Sequence, residues 1–489
     1  MIQTLIPAPA TGEARYAGRF GRIFATTLTA RTLFLLLAGL LSAIPGFLGL
    51  PWLPLMLAWD GAILILVCFD ITTLPASGDL RVTRAFVDSP VLGRETRIEV
   101  TLEHACRDVV HLHIADDLHP AIAQLPPAGD LTAFPRDPAR MVFVITPNRR
   151  GDFSLGGIWL RWRGRLGLVE RRAAAKPEQR VRVYPMMERT ADDAALYLLR
   201  IRQIELQRRR LRLTGTGREF DHLRDYRAGD ELRNISWPAT ARRARIVTRE
   251  FTAERSQQVW IVLDAGRLSG TAFEVRHSVP INAGATPPSF HDAAADEAFL
   301  LSLTQLDEAC CAAVALAQTV MQAGDKAGLL VYGRGIQQQL VPAGGAGALR
   351  VMIDALAQAR VEGAEADHLR AAARLGHLQR RRGLILWVTE LADSARRPDI
   401  ADAAVDLARR HLVLLIVLNH PEIRAVAMRE PRTVAQMFES AAAQEVVERR
   451  RLVVAGLRAK GVLVVDTTPG ALRTDAINEY LEVKARGLI

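Results

Sequence analysis

Residues 257–268 read QQVWIVLDAGRL. Val259 to Leu263 is an unbroken apolar run of buried-strand length, and it closes on Asp264, with Gly266 two positions on. Such a run reads as a parallel strand that delivers a carboxylate to the C-terminal edge of an open α/β sheet, where ligand sites lie. From here to the C-terminus the pattern alternates. Strands are predicted at about 259–263, 327–332, 383–389, 412–418 and 461–466. Helices are predicted between them at about 304–323, 346–360, 399–410 and 433–459, with a last one at 469–485. This alternation implies a mostly parallel sheet covered on both faces, so 256–489 reads as one doubly wound α/β domain. Residues 269–297 interrupt it with Gly, Pro, His and Ala and no periodicity; a loop of that length reads as a flexible insertion.

Upstream lies a segment of different character, 214–255. Between Gly217 and Arg255, 16 of 39 residues are charged, seven acidic and nine basic. Phe220, Leu223, Tyr226, Ile235 and Trp237 are interleaved with them. A single-sign run would suggest a solvated tail; mixed charge with aromatics suggests a segment that folds down and pairs its charges. The spacing G-x-EF-x-x-LR-x-Y-x-x-GD-x-x-R-x-I-x-W-x-x-x-AR, followed by a short strand and the aspartate strand, resembles the signature of domain-of-unknown-function family 58. The matching positions are Gly217, Glu219, Phe220, Leu223, Arg224, Tyr226, Gly229, Asp230, Arg233, Ile235, Trp237, Ala241 and Arg242. Ser236 stands where the family usually carries Asp. The resemblance implies a membrane-anchored bacterial protein with a von Willebrand factor A-like domain, working with an AAA+ ATPase of the MoxR class. The segment itself is either a structural brace for the α/β domain or a partner-docking surface.

The same resemblance implies a cation site. An A-like domain holds a divalent ion through D-x-S-x-S, a distant Thr and a distant Asp, hydroxyl and carboxylate oxygens suited to a hard cation. Asp264 matches the first Asp, and Gly266 and Leu268 stand at the two Ser positions. Thr304 falls where the Thr is expected, and Glu390 replaces the second Asp, with Asp393 as a substitute. The implied set Asp264, Thr304 and Glu390 is degenerate; no cofactor is expected, and Mg²⁺ or Mn²⁺ is what such a site would take.

At the other end, residues 1–24 are polar and basic, with Arg15, Arg19 and Arg22 opposed by Glu13. Thr32 to Phe69 holds 38 residues with a single charge, Asp60. A span needs roughly 20 apolar residues, so 25–70 has the length for two passes, with Pro45-Gly46 and Gly49-Leu50-Pro51 as the reversal. Helix one is expected at about 25–44, with Arg31 snorkelling to the interface, and helix two at about 52–69. Arginines precede the first span and none lies in the connecting loop, which places both termini in the cytoplasm at a bacterial inner membrane. Asp60 is an intramembrane carboxylate, a functional-site hypothesis weighed against a protonated or hairpin-bonded group.

Residues 79–186 carry six or seven short β-branched, partly alternating runs separated by Pro, Gly and Asp turns, the pattern of a β-sandwich. Asn148-Arg149-Arg150-Gly151 and Gly164-Arg165-Leu166-Gly167-Leu168 resemble the family's turns. Residues 191–213 read as a basic linker helix, with six arginines from Arg200 to Arg212 facing Glu205. The net charge is +10, and the N-terminal apolar segment assigns that basicity to a lipid bilayer rather than to nucleic acid. The cysteines Cys68, Cys106, Cys310 and Cys311 have no zinc spacing and make no disulfide framework.

No P-loop, G-x-S-x-G, H-E-x-x-H or Cys/His nucleophile pair occurs. The expected fold is thus an α/β A-like domain preceded by a β-sandwich and a two-helix transmembrane hairpin. The expected function is a non-enzymatic, membrane-anchored interaction module for assembly or maturation of other proteins. Two alternatives stay open: a metal-dependent hydrolase using Asp264 and Glu390 with His277 or His291, and an anionic-ligand binder using the 200–212 arginines.

Overall fold

A computed structural model of the chain describes residues 6–15, 26–41, 52–106, 109–123, 125–135, 137–186, 219–227, 232–252, 256–277, 299–391 and 399–488. The basic linker helix expected at 191–213, most of the 269–297 insertion, and Gly217, Gly229, Asp230, His291 and Asp393 lie outside the described residues. The chain divides into two compact units, one ending at Tyr184 and the other beginning at Pro185.

The first unit holds β1 (Ala10–Arg15), β2 (Thr26–Leu28), β3 (Leu80–Phe86), β4 (Thr96–His104), β5 (Val110–Asp116), β6 (Ala128–Ala133), β7 (Ala139–Ile145), β8 (Gly151–Ser154), β9 (Ile158–Arg163), β10 (Val169–Ala175) and β11 (Arg180–Val183). Nine of them form one antiparallel sheet in the order β6-β5-β9-β10-β1-β3-β4-β7, with β2 also on β10 and β8–β11 apart. The sheet curls like a barrel, so that β6 touches β7; it is not the two-sheet sandwich expected. Alternation drives it: Leu80, Val82 and Phe86 on β3 and Ile98, Val100 and Leu102 on β4 are all buried. β1 comes from the stretch read as a basic tail. Its charges sit on the outward face, where Glu13 meets Arg15 and Arg81, while Ala14 is buried.

Two apolar helices belong to this unit, α1 (Ala30–Gly39) and α2 (Trp52–Thr73). Only α2 is long and apolar enough to cross a membrane, by length and composition, among the described residues. At about 1.5 Å per residue its length matches a hydrocarbon core of about 30 Å. The first helix, expected from about residue 25, starts at Ala30, because Thr26–Leu28 is spent as strand β2; its expected end near 44 lies outside the described residues. The helices touch where the Trp59 Nε1 donates to the Leu35 carbonyl at 2.9 Å. Gly39 allows that approach, since a Cβ there would stand 2.7 Å from the Trp59 ring. Asp60 lies half-buried beside the same glycine.

The second unit opens with β12 (Glu219–Asp225), α3 (Trp237–Arg243) and β13 (Val247–Thr252), where β12 pairs with β13 alone. Then come β14 (Gln258–Asp264), the ribbon β15 (Ala272–His277) and β16 (Phe299–Thr304), α4 (Gln305–Gln322), β17 (Lys326–Tyr332), β18 (Ile336–Ala343), α5 (Ala346–Gln358), α6 (His368–Leu378), β19 (Leu384–Glu390), α7 (Asp399–Ala408), β20 (Leu412–Leu418), α8 (Pro421–Met428), α9 (Val434–Ala459), β21 (Leu463–Thr467) and α10 (Leu472–Ala485). The main sheet runs β18-β17-β14-β19-β20-β21. Counted from β14, that is 3-2-1-4-5-6, with only β18 antiparallel. Trp260, Val262, Tyr332, Trp387 and Leu415 pack on one face with α6 and α7. On the opposite face α4 buries Cys310, Cys311, Val314 and Val320.

Candidate functional site

The strand order reverses between β14 and β19, and ligands of open α/β sheets bind at that switch, beyond the carboxyl ends of the strands. β14 delivers Asp264 there. One Asp264 oxygen accepts from the Gly266 N–H at 2.8 Å and the other from the Thr389 hydroxyl at 2.7 Å. Burial pushes the Asp264 pKa up and the nearby Glu390 adds to it, against the pull of His368 and the two hydrogen bonds.

Beside Asp264 in register is Tyr332, the last residue of β17. The Trp387 indole donates to the Tyr332 hydroxyl at 2.8 Å, and that hydroxyl stands 2.8 Å from His368 Nδ1. Tyr332 can donate its own proton to a His368 that is neutral at Nδ1. Burial agrees with this: it lowers the His368 pKa and holds Tyr332 well above the ordinary phenol range.

On the far side Glu390 Oε1 meets His420 Nε2 at 2.8 Å, and the Gln305 amide reaches the same nitrogen at 3.2 Å. The hydrogen bond to Glu390 raises the His420 pKa. The two histidines should therefore titrate on opposite sides of the ordinary value. In NMR, His420 should lose its proton above that value and His368 below it, and Glu390→Gln should bring His420 back towards it. The stabilisation from His420 is complete below the ordinary pKa and fades as pH rises through the raised one. For His368 the sign is opposite, and stability is lost as pH falls. Equal pKa values for the two would contradict the geometry.

Each of the three implied metal ligands makes bonds within the chain. Thr304 is the N-cap of α4; its hydroxyl accepts from the Asp307 N–H at 3.1 Å and donates to the Asp307 carboxylate at 2.6 Å. Asp264 is tied to Gly266 and Thr389, and Glu390 to His420. The place of the second ligand is filled by the chain itself. Residues 362–367 cross the strand ends, with the Glu362 N–H on the Ala265 carbonyl at 2.8 Å and the Arg267 N–H on the Ala364 carbonyl at 2.9 Å. A Cβ on Gly266 would stand 2.8 Å from the Ala366 nitrogen. Among the described residues no group of three or more His, Cys, Asp or Glu side chains fits a metal ion. A hard cation wants six oxygens, and two of the motif's hydroxyl positions are occupied here by Gly266 and Leu268. Gly266→Ser, which would restore one motif position, should instead destabilise by about 1–3 kcal/mol through overpacking. A Mg²⁺-dependent rise in the melting temperature of that variant would refute this.

Sequence reading missed Tyr332, His368, Trp387, Thr389, Gln305 and His420. A signal was present for four of them: Tyr332 ends an apolar run, Thr389 directly follows one, and Gln305 and His420 each stand two positions past an apolar residue that ends a stretch.

The charged segment folds as a hairpin that carries a short helix. Glu219 and Phe220 pair with Thr252 and Phe251 along β12–β13. Ile235 and Val247 are buried. Arg224 donates to the Asp225 carbonyl at 3.1 Å, and Asp225 takes Arg245 at 2.9 Å. The Tyr226 N–H donates to Ile246 at 2.9 Å. Arg233 lies in the one-turn helix Leu232–Asn234, and Arg242 is exposed at the end of α3. Trp237 and Leu232 are 68% and 72% exposed. Among the described motif residues, Ile235 is buried in the hairpin while Trp237 faces solvent.

Three comparisons relate the chain to known proteins. "Uncharacterized protein YeaD" of Bacillus subtilis (strain 168) is 26% identical over 141 residues, 27% of this chain and 32% of the relative. The chain thus spans about a third of the length of that relative. A solved structure, the conserved hypothetical protein BatB from Bacteroides thetaiotaomicron, aligns with 13% identity and a TM-score of 0.27, over 47% of this chain and 100% of its own. Residues 222–277 and 291–435 match the family model described as "Protein of unknown function DUF58". The stretch from the charged hairpin through both strands of the switch point is thus the part of the chain that is similar to that family.

Proposed function

We propose that the chain is a membrane-anchored, non-enzymatic interaction module whose docking surface is the charged hairpin 219–252. The observation that carries it is the exposure of Trp237 and Leu232 on a hairpin that buries Ile235 and Val247. Exposed aromatic anchors within a charged rim are the composition of binding hot spots. The 3-2-1-4-5-6 strand order with an antiparallel third strand supports the A-like reading of the second unit. The resemblance points to a MoxR-class AAA+ ATPase as the partner, and to assembly or maturation of other proteins as the task.

The anchor is read as two-pass, in a bacterial inner membrane, with both termini cytoplasmic. Supporting this, the start of α1 and the end of α2 are bonded to one turn, Gly164–Leu168. A C-terminal alkaline phosphatase fusion should be inactive, and an active one would reverse the orientation.

The docking test is affinity purification of the full chain from native membranes in mild detergent, with and without ATP, read by mass spectrometry. An AAA+ ATPase should come down with wild type and be lost at least tenfold from Trp237→Ala. Recovery undiminished by Trp237→Ala would remove the hairpin from the interface, and no ATPase in any nucleotide state would sink the reading.

A further inference from the structure

The turn Gly164–Leu168 between β9 and β10 is where both apolar helices meet the sheet. Asp70 at the end of α2 accepts from the Leu166, Leu168 and Val169 N–H groups at 2.7, 2.8 and 3.0 Å. At the start of α1 the Thr29 N–H donates to the Leu168 carbonyl at 2.9 Å, and its hydroxyl to the Gly167 carbonyl at 2.7 Å. On the two-pass reading, on which this inference rests, the turn lies where lipid tails give way to headgroups.

Around it stand more guanidinium groups than acids. Arg31, one residue into α1, lies with its Nη1 against Gly167, and Arg165 is in the turn itself. Both are exposed, and neither pairs with an acid among the described residues. Arg163 ends β9, 3.5 Å from Glu170, but that carboxylate also takes Arg172 at 2.9 Å and Arg161 at 3.9 Å. One negative charge is thus shared by three positive ones. Leu166 in the turn and Leu28 on β2 are 41% and 47% exposed. Exposed leucines between under-neutralised arginines, at the end of an apolar span, suit a surface that is apolar on one side and anionic on the other.

We propose that Arg31, Arg163 and Arg165 form a collar that takes the phosphate of an anionic phospholipid headgroup, with Leu28 and Leu166 at the acyl boundary. Each arginine near an anionic surface is worth about fivefold in lipid preference. The collar would select the lipid beside the anchor and fix the height of the sheet above it.

The test reconstitutes the full chain in nanodiscs of phosphatidylcholine with about one part in five phosphatidylglycerol, the basic-residue lipid partner of the arithmetic above. Native mass spectrometry then counts the lipids retained. Wild type should hold phosphatidylglycerol in clear excess over its share, and inorganic phosphate should not displace it. Arg163→Gln with Arg165→Gln should reduce that excess by more than tenfold. A control, Arg140→Gln with Arg180→Gln on β7 and β11, should leave it unchanged. No preference in wild type, an unchanged preference in the collar variant, or displacement by free phosphate would each overturn the proposal. Sodium carbonate extraction of native membranes separates the two failures. Release of wild type into the supernatant would sink the anchor and the collar together, whereas retention without lipid preference would sink the collar alone.

Discussion

Asp70→Ala should lower the unfolding free energy by about 3–5 kcal/mol, since three backbone donors lose their acceptor at about 1–3 kcal/mol each before relaxation. Asp70 is fully buried, and its two oxygens satisfy three backbone N–H groups of one turn. Removing the carboxylate leaves those donors in a site built around it, and each unmade bond costs the desolvation of its donor. The fit is close: a Cβ on Gly164 would stand 2.4 Å from the Asp70 carboxyl. Asp70→Asn keeps the volume but turns an amide donor towards N–H donors, so it should recover less than half of the loss. The measurement is urea unfolding of the full chain in detergent, followed by tryptophan fluorescence. A loss under about 1 kcal/mol for the alanine variant would mean that water replaces the carboxylate and that the clamp is dispensable.

Asp116→Ala should cost a similar amount, about 3–5 kcal/mol, for a different reason. Arg84 and Asp116 have no exposed side-chain surface. Arg84 Nε donates to Asp116 Oδ2 at 2.9 Å, its Nη2 reaches the second Asp116 oxygen, and the same Nη2 meets the Gly156 carbonyl at 2.9 Å. Truncating the acid strands a guanidinium that cannot lose its proton. Replacing both partners, Arg84→Leu with Asp116→Leu, removes both desolvation costs, and the buried Arg84 Nη1 has no hydrogen-bond partner among the described residues even in the native fold. The double variant should therefore be more stable than Asp116→Ala by at least about 2 kcal/mol, a coupling that a double-mutant cycle reads directly. Additive losses would show that the pair does not act as a unit.

The α/β unit was legible because buried parallel strands are nearly uniform in composition. The runs expected at 327–332, 383–389 and 412–418 fall within a residue of β17, β19 and β20. The misses have one cause. β18 reads IQQQLVPA and lies half-exposed at a sheet edge, where apolar content is not required. α6 reads HLRAAARLGHL and buries only Ala371, Ala372 and Leu375. α8 buries none of its residues. An element that covers little core leaves little hydrophobic period to detect. β1 escaped likewise, because its one buried residue is an alanine among charges.

The site was half legible. Asp264 ends β14 as its apolar run implies, and Glu390 was placed by motif match alone, which says which residue stands at a position, not what that residue is bonded to. Thr304 fell where expected and is spent on a helix cap.

The sequence by itself determined the apolar span, the β-rich first unit, the doubly wound second unit and the carboxylate at its switch point. Each of these is a local matter of run length and period, and burial imposes both on contiguous residues. Only the tertiary structure decided which polar groups meet. Asp70 finds Leu168 across 98 residues, Thr389 reaches Asp264 across 125, and Ala366 closes over Gly266. Hydrogen bonds and ion pairs join single atoms at about 3 Å, and no periodicity along the chain records which atoms the fold will bring that close.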